Sequence, residues 1–125
     1  MPRGELWYRR GEIWWVNLDP TVGSETAKKR PCLILQNDIG NASSSTTLVA
    51  PLLRGTKPYP FLVNVLATTG NGLDEDRDIH LEQMRVVDER RIDNKLGILE
   101  DKYWAEIEKA VSIVLGFNSI FDRDN

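Results

Sequence analysis

The stretch that decides the fold is Arg10-Gly11-Glu12-Ile13-Trp14-Trp15-Val16-Asn17-Leu18-Asp19-Pro20-Thr21-Val22-Gly23-Ser24-Glu25, closed by Lys28-Lys29-Arg30-Pro31. Ile13 to Leu18 is aromatic and β-branched, which predicts a strand. Asp19-Pro20 ends it, because proline has no amide to give to a ladder. Thr21 to Arg30, with Gly23, Ser24 and three cations, reads as a loop. Trp14 and Trp15 are neighbours on a strand, so one ring faces the core and the other faces out. Cys32 to Gln36 then predicts a second, apolar strand.

Working outward, 37–45 is rich in Asn, Ser and Gly and reads as a turn. Thr46 to Leu53 predicts a third strand, apolar on both faces and therefore central. Arg54 to Pro60 is a connecting loop, and Phe61 to Leu66 a fourth strand. Thr68 to Asp78 reads as a polar loop. Short strands follow at Ile79 to Leu81 and Met84 to Val87, and a helical turn at Asp88 to Asn94. Asp101 offers a cap to a last helix, in which Tyr103, Ile107, Ala110, Val111 and Val114 make one apolar face. Gly116 is its stop. Short strands separated by Gly/Pro turns, then one helix, define a small bent antiparallel sheet or barrel with a helix packed on it.

The chain has 125 residues, enough for one domain. Residues 1–9 and 118–125 are expected as loose ends. There is no apolar stretch of the length of a membrane span and no secretory signal, so a cytoplasmic protein without membrane contact is expected. The single cysteine, Cys32, excludes an internal disulfide and reads as a buried strand residue. The net charge of −3 argues against a protein that coats nucleic acid. The charge is uneven. Residues 1–60 carry eight Lys/Arg against five Asp/Glu, and 61–125 carry eight against fourteen. The basic half leaves room for a local anion site at Lys28, Lys29, Arg30, Arg54 and Lys57.

Three groups of residues are suited to chemistry. Gly23-Ser24-Glu25 with Arg30 puts a proton-shuttling carboxylate beside a guanidinium whose fork fits phosphate. A surface ion pair of Glu25 with Lys28 or Lys29 is the structural alternative. His80 and Glu82 share one face if they lie on a strand, and together form an acid–base pair. The rings of Trp7, Tyr8, Trp14, Trp15, Tyr59 and Phe61 are either core or platforms for unpaired bases. No spacing of His and Cys suggests a metal centre, and no cofactor motif is present.

Beyond these patterns, an ordered set of short motifs resembles the MazF/PemK/Kid toxins. It comprises Arg10-Gly11-Glu12-Ile13-Trp14, Asp19-Pro20, Gly23-Ser24-Glu25, Arg30-Pro31, Val49-Ala50-Pro51-Leu52, Pro58-Tyr59-Pro60-Phe61, Glu82-Gln83-Met84-Arg85 and Lys95-Leu96-Gly97. The resemblance implies a small SH3-like β-barrel with a terminal helix, of the type shared with CcdB, assembled as a homodimer. It implies metal-independent cleavage of single-stranded RNA, leaving 2′,3′-cyclic phosphate and 5′-hydroxyl ends. Arg30 then stands at the catalytic arginine, Glu25 at a loop carboxylate, Glu82 at a catalytic aspartate and His80 at an arginine of one member. Lys28, Lys29, Arg54, Thr56 and Lys57 are the expected RNA-binding residues. The implied partner is a cognate antitoxin, with DNA reached only through that complex. One position departs from the pattern. Pro51-Leu52-Leu53 stands where many members have Pro-Leu-Thr or Pro-Leu-Ser, and leucine has no hydroxyl. A relative that binds RNA or antitoxin without cutting is therefore the second reading. A gyrase poison of the CcdB type ranks third, because the chain ends Phe121-Asp122-Arg123-Asp124-Asn125 and not in Trp-Gly-Ile.

Overall fold

A computed structural model describes residues 5–117. The chain forms β1 (Glu12–Asn17), β2 (Lys29–Ile34), α1 (Asp38–Ser43), β3 (Thr46–Arg54), β4 (Leu62–Val65), β5 (Arg77–His80), β6 (Arg85–Asp88), β7 (Ile92–Ile98) and α2 (Trp104–Val114). Seven antiparallel strands make one sheet in the order β4-β5-β3-β2-β1-β7, with β6 also on β3. The expected class, mainly β with a carboxy-terminal helix, is the one observed. The sheet is not closed: among the described residues β4, β6 and β7 each have a strand partner on one side only.

Strand alternation builds two cores. Ile13, Leu33, Ala50, Leu52, Val63, Val65, Ile79 and Leu81 face α2, where they meet Tyr103, Ile107 and Ala110. Their neighbours in sequence, Trp14, Val16, Cys32, Ile34 and Val49, point the other way and pack with Tyr8, Leu18, Val87 and Ile92. β3 is apolar on both faces because it lies in the middle, as its composition implied. Trp14 faces inward, and Trp15 is only half-buried. Burial pushes the Cys32 thiol well up, so it stays protonated and serves as packing.

The second edge of β3 carries the feature that shapes the site. β6 pairs with Thr46 to Val49, and β5 with Leu52 to Arg54. Between the pairs Val49–Arg85 and Leu52–Ile79, two residues of β3 are opposed by five of the partner, His80 to Met84. The excess is taken up by a 3-10 turn at Leu81–Gln83. Ala50 and Pro51 have no strand partner on that edge. Proline, which lacks an amide, fits where no ladder bond is required.

Several elements differ from expectation. Arg77 and Asp78 belong to β5, although charged residues read as loop; both are buried, Asp78 with both oxygens partnered and Arg77 with its two Nη groups bound but its Nε left without a hydrogen bond among the described residues. Lys29 and Arg30 belong to β2, paired with Asn17 and Val16, and not to the preceding loop. The 37–45 region holds α1, whose first turn is capped by the Asn37 side chain on the Gly40 amide at 2.8 Å. The helical turn near 88–94 is confined to Glu89–Arg91, and β7 starts at Ile92. Asp101 does not cap α2. It starts a 3-10 turn that leads into the helix, and neither start has a side-chain cap.

Gly116 does stop α2. It has φ +80, its amide donates to Ile113, and the Phe117 amide donates to Ser112. That is the paired bonding of a Schellman motif. Of the first nine residues, 5–9 are described: Tyr8 is buried, and Trp7 meets Tyr8 and Trp14 edge-on. Residues 118–125, expected as the other loose end, lie outside the described part.

Candidate active site

The β1–β2 loop and the 3-10 turn of residues 81–83 come together at one end of the sheet. Between them lies a cavity of about 230 Å³ lined by Leu18, Glu25, Thr26, Pro51, Glu82, Gln83, Met84 and Arg85. The Thr26 amide donates to Gln83 Oε1 at 3.3 Å, tying loop to turn. Arg85 donates from Nη1 to the Leu18 carbonyl at 3.0 Å, so its guanidinium is fixed at the cavity wall.

Glu25 is exposed, and its Oε1 accepts the Val22 amide at 2.6 Å. It holds its own turn instead of pairing with Lys28 or Lys29. Gly23 at φ +58 makes that turn possible. The base of the loop is closed by Lys28 at φ +69, whose amide donates to Asp19 Oδ1 at 2.9 Å. Such a conformation is costly for a side-chain-bearing residue and persists only where the surroundings fix it.

Glu82 and His80 are joined: His80 Nδ1 lies 3.0 Å from Glu82 Oε2. The sequence reading placed both on one strand face. Instead β5 ends at His80 and the 3-10 turn swings Glu82 back onto the ring. Arg30 is half-buried on β2, with Nε on the Ala27 carbonyl at 3.1 Å. It stands at the base of the same loop but outside the cavity lining. Leu53, opposite Asp78 in the β3–β5 register, is also absent from the lining.

The expected RNA-binding cations are dispersed. Lys28 is exposed on the loop. Lys29 is ion-paired with Asp93 in a separate open depression that includes Arg90 and Arg91. Arg54 is exposed and bridges to Glu75 at 2.6 Å. Thr56 and Lys57 are exposed on the β3–β4 loop, where the Lys57 amide donates to the buried Asp78 at 2.9 Å. Among the described residues no three His, Cys, Asp or Glu are grouped to hold a metal.

The sequence reading missed Thr26, Gln83 and Arg85 as lining residues. The available signal was the run Glu82-Gln83-Met84-Arg85: the 3-10 turn at its start brings all four consecutive side chains to one space. Two carboxylates and one guanidinium, Glu25, Glu82 and Arg85, line one cavity, with His80 held on Glu82 and Arg30 at the base of the adjoining loop; these define a small β-sheet domain equipped for proton transfer near an anion.

Residues 9–115 match the PemK-like, MazF-like toxins of type II toxin–antitoxin systems. The chain is 37% identical over 116 residues to an endoribonuclease MazF of Staphylococcus epidermidis, covering 92% of this chain and 96% of that one. It is equally identical, over 113 residues, to an endoribonuclease MazF of Staphylococcus saprophyticus, covering 90% and 94%. The crystal structure of MazF from Deinococcus radiodurans superposes with a TM-score of 0.76 at 25% identity, over 90% of this chain and 99% of that one. A MazE–MazF crystal structure from the same organism gives 0.68 at 22%, over 90% and 98%. The chain belongs to the MazF/PemK family of type II toxins. No helix among the described residues is long and apolar enough to cross a membrane.

Proposed function

We propose that this chain is an endoribonuclease toxin that cuts single-stranded RNA without a metal. The observation that carries the reading is the cavity between the β1–β2 loop and the 3-10 turn, where Glu25, Arg85 and the His80–Glu82 pair converge. The 2′-oxygen of one nucleotide attacks the adjacent phosphorus as its proton passes to a base. The bond from phosphorus to the 5′-oxygen breaks, and that oxygen takes a proton from an acid. The products are a 2′,3′-cyclic phosphate and a 5′-hydroxyl. The base and the acid come from Glu25, His80 and Glu82. Arg30 and Arg85 supply positive charge for the phosphorane, which carries more negative charge than the ground state. Lys28, Arg54, Thr56 and Lys57 hold the strand on either side, and Lys29 contacts it once released from Asp93.

The working form is a homodimer. An open apolar groove of about 610 Å³ runs along α2, lined by Leu35, Leu48, Met84, Trp104 and Val111 among others. Exposed Val86, Leu115 and Phe117 add to the apolar surface available for a second copy. A cognate antitoxin is the protein partner, in line with the MazE–MazF assemblies among similar structures. Its acidic segment competes with RNA for the cationic loops, and any contact with DNA is made through it.

The purified chain is to be incubated with long single-stranded RNA in excess EDTA, and the product ends mapped. Discrete cuts with cyclic phosphate ends are expected. Arg30→Ala is expected to lower the cleavage rate at least about a hundredfold with an unchanged melting temperature. Unchanged cleavage would remove Arg30 from the mechanism. A second reading, RNA or antitoxin binding without cutting, is favoured by Leu53, which puts an aliphatic side chain where a hydroxyl is usual. It predicts bound but intact RNA.

A further inference from the structure

The β3–β4 loop contains an arrangement unusual for a solvent-exposed segment: an aromatic side chain half in water, backed by a second ring and carried on a backbone held on both sides. Tyr59 is 52% exposed. Its ring stacks on Phe61 with centroids 5.3 Å apart and planes 9° from parallel. Its hydroxyl has no hydrogen-bond partner among the described residues. A ring exposed for packing reasons alone is normally free to move. Here the backbone on each side is held. Pro58 and Pro60 fix φ before and after it. The Lys57 amide is bound to Asp78 Oδ2 at 2.9 Å, and Asp78 is itself buried and held by Asn64 at 3.1 Å. The Tyr59 carbonyl accepts the Leu62 amide at 3.1 Å.

The platform also borders the candidate active site. Leu62 pairs with His80 in the β4–β5 register, and the Phe61 carbonyl accepts the Leu81 amide at 3.3 Å. The rings thus stand just before the start of β4, the strand that pairs with His80. Lys57, on the same loop, has no ion-pair partner among the described residues and offers a cation for a phosphate beside a stacked base.

We propose that Tyr59, backed by Phe61, is a stacking subsite for one unpaired nucleobase flanking the bond that is cut. The inference deepens the nuclease reading and depends on it. A flat ring held in place before the ligand arrives loses little freedom on binding, which is the condition under which stacking contributes most. Stacking has no donor–acceptor code, so the subsite orders the strand and tolerates several bases; edge contacts elsewhere select the sequence.

The test uses the full chain and a single-stranded RNA in which 2-aminopurine is moved through successive positions, with a 2′-deoxy nucleotide at the cut. Fluorescence is expected to be quenched at one position beside the cut. Tyr59→Phe is expected to retain the quenching and the affinity. Tyr59→Ala is expected to lose the quenching and to weaken binding about tenfold, raising KM far more than it lowers kcat, with melting unchanged. If Tyr59→Ala binds, quenches and cuts as the unaltered chain does, the stacking subsite is wrong and the nuclease reading stands. If the unaltered chain neither binds nor cuts RNA, the nuclease reading falls and the subsite falls with it.

Discussion

Two loops of this molecule are built in opposite ways. The loop at 68–73 lies directly on β7. A Cβ added to Gly72 would stand 2.0 Å from the Leu96 carbonyl oxygen, and one added to Gly97 would stand 2.3 Å from that of Gly70. Asn71, at the loop's centre, is fully buried; its amide donates to Leu66 and Glu100, and its oxygen accepts the Thr68 and Leu73 amides. The β1–β2 loop, in contrast, has nothing within 4 Å of a Cβ at Gly23. It is closed at its base by Asp19 and Lys28, folded by Glu25 on Val22, and joined to the 3-10 turn by the bond of Thr26 to Gln83. The lesson is one of division. The first loop is over-determined and serves as scaffold. The second leaves its carboxylate and cations room to adapt to a strand.

That contrast breaks or sharpens under substitution. The largest effect is expected at Gly72→Ala. The clash is with backbone, which cannot swing aside, and φ +75 adds strain, so the loss exceeds about 4 kcal/mol. Urea titration would show no cooperative transition near that of the unaltered chain. A mild shift would mean that the two backbones are not locked together.

An intermediate effect is expected at Glu12, which anchors β1 to β7. Burial pushes its carboxyl up, but hydrogen bonds from Lys95, Trp14 and the Arg9 amide outweigh this and hold it below the usual range. A carboxyl lowered on folding stabilises fully above its unfolded pKa, and that stability is lost as the pH falls through the folded value. Glu12→Gln is expected to cost about 2 kcal/mol at neutral pH and to flatten the fall in stability below about pH 4.3. Parallel acid melting curves for the two proteins would sink the assignment.

The smallest effect is expected at Gly23→Ala. Space is free, and only the positive φ opposes it, at a cost of about 1 kcal/mol. If it destabilises as much as Gly72→Ala, the two loops are not of different kinds.

How much of this was legible in the sequence follows the same division. The first four strands announce themselves because Ile, Val, Trp and Leu supply their own reason to pair. β7 does not: Ile92-Asp93-Asn94-Lys95-Leu96-Gly97-Ile98 is poor strand material, and it is extended because β1 offers it a partner. Gly97 is there for closeness, which only the folded neighbour reveals. β5 was hidden for a related reason. Arg77 finds the Leu52 carbonyl and Asp74, and Asp78 finds the Lys57 amide and Asn64, so charges that look like loop are buried. At the site, residue types were readable but not their grouping. Glu82 and His80 meet through a 3-10 reversal, and Arg85 enters the cavity through the same reversal, which no alternation rule anticipates. Lys29 and Arg54 were chosen for their charge, yet each already holds an acidic neighbour.

The unpaired edges of the sheet, on β4, β7 and the four-residue β6, have a consequence for how this protein behaves in a crowd. β4 is only four residues long and exposes Asn64. β7 exposes Asp93, Asn94 and Lys95 along its length, and its pairing with β1 is interrupted by two register shifts. A short edge and a charged, irregular one are poor templates for another chain's strand. The sheet can therefore stay open, leaving its apolar groove free for a chosen partner, without inviting copies of itself to zip into fibres.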